Sequence, residues 1–205
     1  MQQGCYFEIV IVLMQKIISS QAPKVINILT QSFQTNPSAL WVIKQDEKVQ
    51  KRLKALIEYA VKTGLENNGV FLSDDESAAA ICFKEPAKSS LISYWNQVQL
   101  IRKAIGISRV PHVLRREGYL KKHRHNDPHF NFWFLGTNPE RKDGAGAYDI
   151  KREIFQLSLE KQLPILLETS VERNKQVYEY FGFNVYHTWK PSTNYTLWFM
   201  KRDSG

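Results

Sequence analysis

The chain has 205 residues and a formal net charge of +8, with 28 Lys and Arg against 20 Asp and Glu. Its hydrophobic content of 43% and its lack of any low-complexity run exclude a disordered or fibrous chain and are typical of a globular protein. The length suits a single domain, and we expect residues 1–205 to form one.

The cysteines indicate a protein of a reducing compartment. Cys5 and Cys82 lie far apart, and neither belongs to a Cys-x-x-Cys or Cys/His pattern. The sequence therefore predicts no zinc site or other metal centre and no disulfide framework, and it favours the cytoplasm. The apolar run 9–13 is too short to span a bilayer and no Lys or Arg precedes it, so we predict neither a signal peptide nor a membrane partner.

The first third of the chain predicts two helices and a hairpin. We interpret residues 1–13 as a dispensable extension and 14–20 as a strand. Apolar residues at helical spacing follow Ala22, and a second helix is predicted from Asp46, which suits an N-cap. The segments 70–72 and 78–83 have the composition of an antiparallel hairpin.

The positive charge is concentrated in residues 86–125. This segment carries nine Lys and Arg and one acid, Glu117, whereas the remainder has nineteen residues of each sign. Two helices are predicted in it, over 94–105 and 108–123, separated by Gly106. Such a segment is either a solvated face or attracts phosphate-bearing ligands or nucleic acid.

The most informative stretch is 128–146, PHFNFWFLGTNPERKDGAG. It predicts a buried strand over 130–135 that ends in a loop rich in glycine and alanine, followed by a helix. A helix N-terminus after such a loop binds phosphate through free N–H groups and the helix dipole. The pattern by itself also suits a connection whose glycines serve only packing. A second buried strand at 164–170, a helix at 172–183 and strands at 182–187 and 195–200 are predicted downstream.

The order of these elements in residues 129–185 resembles the GNAT superfamily of N-acetyltransferases. LETS at 167–170, followed by N-x-x-x-Y-E-x-x-G-F at 174–183, is similar to the branch that contains the puromycin acetyltransferases. The resemblance implies a mixed α/β, GNAT-like acyl-CoA N-acyltransferase fold with a mostly antiparallel sheet of six or seven strands flanked by helices. It also implies acetyl-CoA as co-substrate and a small-molecule amine as acceptor, with the basic segment as a lid or as surface helices.

The resemblance assigns the acetyl-CoA contacts to the central strand, the loop after it and one asparagine. The strand contributes the backbone of Leu135, Gly136 and Thr137, and Asn174 would bind the pantetheine arm. The loop motif has two registers. Its residues are Arg141, Gly144 and Gly146 by letter match, and Lys142, Ala145 and Ala147 by ungapped distance, which we prefer. Asp143 departs from the family pattern, because a carboxylate repels a pyrophosphate unless it faces away.

The resemblance also places Tyr178 where the family has the acid that protonates the departing thiolate. A phenol is protonated at neutral pH, so it needs no activation. The alternative is that Tyr178 is only a core tyrosine. Tyr180, two residues further on, is the nearby tyrosine that could be mistaken for it. For the general base we name Glu168 and His129, each of which is more often structural.

We therefore predict an acetyl-CoA-dependent N-acetyltransferase that transfers an acetyl group directly to an amine of a small molecule. A non-catalytic acyl-CoA-binding or sensor protein of the same fold is the first alternative, motivated by Asp143. A basic nucleic-acid-binding module is the second, and we do not expect it, because charge is its only signature. The sequence leaves a homodimer open.

Overall fold

The computed structural model describes residues 19–87, 91–141 and 144–205, with only the backbone given for Ser19 and for 91–94. The predicted extension at 1–13, most of the predicted strand at 14–20, and the loop residues Lys142 and Asp143 lie outside these ranges. Ser19–Gln21 forms a 3-10 turn, so the end of that predicted strand is wrong.

The described residues form seven α-helices and six strands. The helices are α1 (Ala22–Ser32), α2 (Pro37–Val42), α3 (Val49–Glu66), α4 (Leu91–Leu100), α5 (Val110–His123), α6 (Ala145–Lys161) and α7 (Glu172–Tyr180). The strands are β1 (Val70–Leu72), β2 (Ala78–Glu85), β3 (His129–Thr137), β4 (Ile165–Thr169), β5 (Asn184–Ser192) and β6 (Tyr195–Arg202). A π-helical turn (Ile101–Ile105) continues α4. None of the helices in these ranges is long and apolar enough to cross a membrane.

Two helix starts differ from the sequence prediction. The apolar residues after Asn36 form α2, because the Asn36 side chain caps it by accepting the N–H groups of Ser38 and Ala39 at 3.0 and 3.1 Å. The next helix, α3, begins at Val49 rather than near Asp46. The Asp46 carboxylate instead binds the Arg52 side chain and the N–H of Lys48 ahead of the helix.

The six strands form one mixed sheet in the order β1-β2-β3-β4-β6-β5. Every neighbouring pair is antiparallel except β3 and β4, which are parallel. Parallel neighbours need a crossover, and α6 provides it between these two strands. The predicted mixed, mostly antiparallel sheet flanked by helices is confirmed, with six strands.

A β-bulge in β3 changes which of its side chains share a face. Ile81 of β2 pairs with Phe134 and Cys82 pairs with Phe132, so Trp133 is the extra residue. Phe132 therefore packs with α6, whereas Trp133 and Phe134 both pack with α1 and α3 on the other side of the sheet. Regular alternation along β3 would place Phe132 and Phe134 on the same face, and the bulge separates them.

The helices cover both faces of the sheet. Helices α1 and α3 pack on one face, and α2 and α5 pack beside them against the end formed by β5 and β6. Helices α6 and α7 pack on the opposite face. On α5, Val113 and Leu120 are buried, whereas Leu114 is 65% exposed.

Candidate active site

The site begins where β3 and β4 separate. The two strands pair only at Phe130 with Ile165 and at Asn131 with Leu166. Beyond that point β3 continues to Thr137, with no strand of the described chain on its β4 side. Backbone N–H and C=O groups on this edge of β3 are open to pair with an extended ligand. The predicted backbone contacts at Leu135, Gly136 and Thr137 lie on this stretch.

Two cavities open on opposite faces of the sheet and meet at this gap. Cavity A, of about 390 Å³, lies on the side of α1, α3 and α5, and cavity B, of about 420 Å³, lies between β3, α6 and α7. They share the lining residues Phe132, Leu135, Asn174 and Tyr178. Ligands that enter from opposite faces would therefore reach each other beside Tyr178.

The start of α6 forms one end of cavity B. Gly144 precedes the helix with a φ of +67°, a left-handed conformation that favours glycine. The first N–H groups of α6 have no carbonyl partner within the helix. Gly146 is fixed by packing, because a Cβ there would lie 2.3 Å from Ser77 Oγ and 2.5 Å from Ser73 Oγ in the turn between β1 and β2. That contact sets how closely α6 approaches the sheet.

The two loop registers share this end of the cavity. Gly144 of the letter-match register and Ala147 of the ungapped register both line cavity B. Gly146 is buried and Ala145 is exposed, and neither is part of the lining. Arg141 is 3.9 Å from Asp75 in the turn between β1 and β2, away from the cavity. With Lys142 and Asp143 outside the described residues, both registers stay predictions.

Sequence reasoning missed Lys151, one helical turn after Ala147. Its Nζ lies in cavity B, 3.3 Å from the centre of the Phe181 ring and 3.9 Å from that of Tyr148. Partial burial lowers the pKa of Lys151, so its charge lacks full hydration. An anion in cavity B would restore favourable interactions for it. The spacing of four residues from the loop could have identified this side chain.

Asn174 and Tyr178 lie on the same face of α7, four residues apart, and both line the two cavities. The Tyr178 ring packs edge-on against Phe132 and Phe183, with ring centres 6.5 and 5.4 Å apart. Burial raises the pKa of Tyr178 to about 12, so its phenol is protonated at neutral pH. Its hydroxyl has no hydrogen-bond partner within the described ranges. Tyr180, by contrast, is 85% exposed and lines neither cavity.

The two candidate bases have different surroundings. Glu168 lines cavity A, and its two oxygens accept hydrogen bonds from Arg124 Nε at 2.5 Å and from a terminal nitrogen of Arg124 at 2.8 Å. His129 is buried outside both cavities, and its Nδ1 is 2.7 Å from the Asp127 carbonyl oxygen. The carbonyl can only accept, so Nδ1 carries the proton. The structure thus brings Glu168 to the site and leaves His129 away from it.

Ser170 is a second residue that sequence reasoning missed. It directly follows β4 and lines cavity A, and its buried Oγ has no hydrogen-bond partner in the described parts of the chain. Buried polar atoms are rarely left unpaired, so a ligand or water in cavity A is the natural partner. Among the described residues, no group of three or more His, Cys, Asp or Glu is placed to hold a metal ion.

No protein-family model matches the sequence. Solved structures match nearly the whole chain. A Corynebacterium glutamicum protein described as a histone acetyltransferase and related acetyltransferase has a TM-score of 0.64 at 19% identity, with 91% of this chain and 93% of that chain covered. Arylalkylamine N-acetyltransferase 2 of Aedes aegypti has a TM-score of 0.61 at 16% identity, with coverages of 94% and 98%. An agmatine N-acetyltransferase variant has a TM-score of 0.62 at 10% identity, with coverages of 93% and 98%.

This is the GNAT acetyltransferase fold. The separation of β3 from β4 and the two cavities that meet there lie within the part of the chain that these structures match. At such low identities the likeness to GNAT acetyltransferases shows the fold alone. The reaction therefore has to be argued from the residues around the gap.

Proposed function

We propose that this protein transfers the acetyl group of acetyl-CoA directly to an amine of a small molecule. The observation that carries the proposal is the meeting of cavities A and B at the gap between β3 and β4, next to the partly buried side chain of Tyr178. Acetyl-CoA enters by cavity B and the amine by cavity A. The Aedes aegypti enzyme and the agmatine enzyme are both named as N-acetyltransferases of amines.

Cavity B suits the extended arm and the phosphates of acetyl-CoA. The open edge of β3 offers backbone groups to the amides of the arm, and Asn174 lies across the cavity from it. Phosphates would lie at the start of α6, where free N–H groups and the positive end of the helix dipole favour negative charge. Lys151 lies one turn further along the same helix.

The reaction forms one bond and breaks one bond. The amine nitrogen attacks the thioester carbonyl carbon, a C–N bond forms, and the C–S bond breaks. The amine loses one proton, and the departing sulfur takes one up. We assign Tyr178 as the donor to sulfur, because its raised pKa keeps the proton available. We assign Glu168 as the base, acting through water, because of the two predicted bases it alone lines cavity A.

The other parts of the proposal come from the sequence. The similarity of the segment 167–183 to the puromycin acetyltransferase branch supports a small-molecule acceptor rather than a protein. The cysteines favour a reducing compartment, and we propose that the protein acts in the cytoplasm. The residues that line cavity A lie on eight different helices and strands, which is why no local motif could name the acceptor.

The test has two stages. Isothermal titration with CoA and with acetyl-CoA should show saturable binding that weakens with rising salt, because phosphates are bound. Release of CoA from acetyl-CoA is then followed with a panel of primary amines, and the amide product is identified by mass. Absence of CoA binding would refute the proposal. Binding without transfer to any amine would favour the non-catalytic acyl-CoA-binding alternative.

A further inference from the structure

Among the described residues, cavity A contains one carboxylate without a cationic partner. The charged side chains in its lining are Glu85, Glu117 and Glu168 against Arg116 and Arg124. Arg124 binds Glu168 by two hydrogen bonds, and Arg116 is 3.0 Å from Glu117. No cationic side chain of the described residues pairs with Glu85. The lining residues that the structure describes therefore keep a net charge of one negative unit, located at Glu85.

Glu85 is held so that one oxygen remains available. It is half-buried at the end of β2, and its Oε2 accepts the N–H of Ala87 at 2.6 Å. Asn131 of β3 is its diagonal neighbour on the same face, since Glu85 pairs with His129 and Phe83 with Asn131. The amide of Asn131 has no hydrogen-bond partner in the described chain, and both residues line cavity A. Together they offer a carboxylate oxygen and an amide oxygen to a ligand.

The distance from Glu85 to the gap, and the side chains that line cavity A between the two, indicate what the rest of the ligand should be. Glu85 is opposite His129, and Phe132 lies three residues further along β3, which is about 10 Å. Apolar and aromatic side chains, among them Phe83, Trp133 and Phe134, form much of the lining of cavity A. A half-buried carboxylate without a counter-ion in the described chain attracts a cation. A ligand that satisfies this cavity has a cation at one end, an apolar middle, and its reacting group at the other end.

We infer that the acceptor is an amine that carries a second positive charge, of the diamine or polyamine class. This inference rests on the proposed acetyl transfer. Glu85, with the Asn131 amide, binds the far cation, while the near amine lies at the gap beside Tyr178. Glu85 thereby selects dications over monoamines of the same length.

The experiment compares cadaverine, a five-carbon diamine, with n-pentylamine, which has the same carbon chain and only one amine. CoA release from acetyl-CoA is measured with each amine for the wild type, Glu85→Gln and the control Glu47→Gln. We expect the wild type to prefer cadaverine by about tenfold or more in kcat/KM, as expected for recognition by a charged hydrogen bond. Glu85→Gln should abolish the preference by raising KM for cadaverine, with n-pentylamine unchanged.

Each variant should fold as the wild type does, so that a change in activity reports on recognition of the amine. The amide oxygen of Glu85→Gln can still accept the Ala87 N–H, so the strand end should persist. Glu85→Asp keeps the charge and should retain part of the preference. Glu47 is an exposed residue outside cavity A, so Glu47→Gln should behave as the wild type. Equal kcat/KM for the two amines, or an unchanged preference in Glu85→Gln, would overturn the inference.

A binding measurement separates this inference from the proposed function. Cadaverine is titrated into the CoA-bound protein, with n-pentylamine as the reference. If cadaverine binds more tightly and Glu85→Gln removes the difference, Glu85 is the cation site even when no CoA is released, and then only the acetyl transfer fails. If cadaverine and n-pentylamine bind equally or not at all, the inference fails, whatever amine proves to be the acceptor.

Discussion

Arg124 and Glu168 form a two-point ion pair in the wall of cavity A, with N–O distances of 2.5 and 2.8 Å. Arg124 follows α5 and Glu168 lies on β4, so the pair joins the basic segment to the sheet at the active site. Burial acts against the positive charge of Arg124, but the hydrogen bonds and charge of Glu168 outweigh it and hold the pKa of Arg124 above its usual range. Arg124 therefore stays protonated across the physiological pH range.

Variants of this pair separate its structural role from its catalytic role. Glu168→Gln and Arg124→Gln should each lower the free energy of unfolding by about 1–3 kcal/mol, because each leaves a partly buried partner without its charge-assisted hydrogen bonds. Only Glu168→Gln should also lower kcat/KM at neutral pH, with recovery at higher pH as the free amine becomes abundant. Urea unfolding and pH–rate profiles measure the two effects. Identical pH–rate profiles for the two variants would remove Glu168 as the base.

Tyr178→Phe should lower kcat by about ten- to a thousandfold, the order expected for loss of one acid or hydrogen-bond donor. The ring and its contacts with Phe132 and Phe183 remain, so unfolding and CoA affinity should change little. Tyr180→Phe is the matched control, because Tyr180 is exposed and lies on the same helix. Steady-state CoA release and titration with CoA provide the measurements. Full turnover in Tyr178→Phe would assign the acid to water or another side chain.

The raised pKa of Tyr178 also predicts a change of stability with pH. Below about pH 10 the phenol is protonated in both the folded and the unfolded state. Between pH 10 and 12 it ionises only in the unfolded state, because burial raises the folded pKa to about 12, so stability falls as pH rises. The Tyr178→Phe variant has no ionisable group at this position, so it should not show this fall in stability. Thermal midpoints of the two proteins should therefore show the wild type losing stability relative to the variant above about pH 10, and parallel curves would contradict the burial.

Gly146→Ala should destabilise the protein by about 1–3 kcal/mol and weaken CoA binding. A Cβ at this position would meet the hydroxyls of Ser73 and Ser77, which both bind Asp75 and cannot turn away freely. Helix α6 would then have to move away from the β1–β2 turn. Gly118→Ala, in the exposed face of α5 with nothing within 4 Å, is the control and should stabilise by about 0.5–1 kcal/mol. Urea unfolding and CoA titration check both changes, and equal behaviour would contradict the contact.

The contribution of the Lys151 charge in cavity B can be tested by substitution. Lys151→Met keeps the packing on Phe181 but removes the charge, so the CoA affinity should fall by about three- to tenfold. Lys161→Met, at the other end of α6 and exposed, should leave the CoA affinity unchanged.

In the ungapped register of the loop, Lys142→Ala should weaken CoA binding more than Arg141→Ala. The reverse order would favour the letter-match register.

The sequence by itself determined the elements whose patterns are local. Composition and residue spacing predicted β1 to β4, β6, α1, α5, α6 and α7 within a few residues, because burial of one face dictates such patterns. Strand β5, by contrast, runs to Ser192, five residues beyond its predicted end. The motif at 174–183 predicted the helix on which Asn174 and Tyr178 share a face. The mixed, mostly antiparallel sheet was implied by the resemblance of residues 129–185 to the GNAT superfamily, and the structure confirms it with β3 and β4 as the parallel pair.

Only the tertiary structure decided features that depend on residues distant in sequence. The bulge at Trp133 arises from pairing between β2 and β3, so periodicity within β3 could not show which face Phe134 occupies. The contact of Gly146 with Ser73, and the pairing of Arg124 with Glu168, join segments far apart in the chain. That Glu85 has no cationic partner among the described residues could be recognised only once Arg116 and Arg124 were seen to pair with Glu117 and Glu168. The sequence tells which side chains can carry a charge. Whether each charge has an opposite charge beside it depends on the neighbours that folding brings into contact.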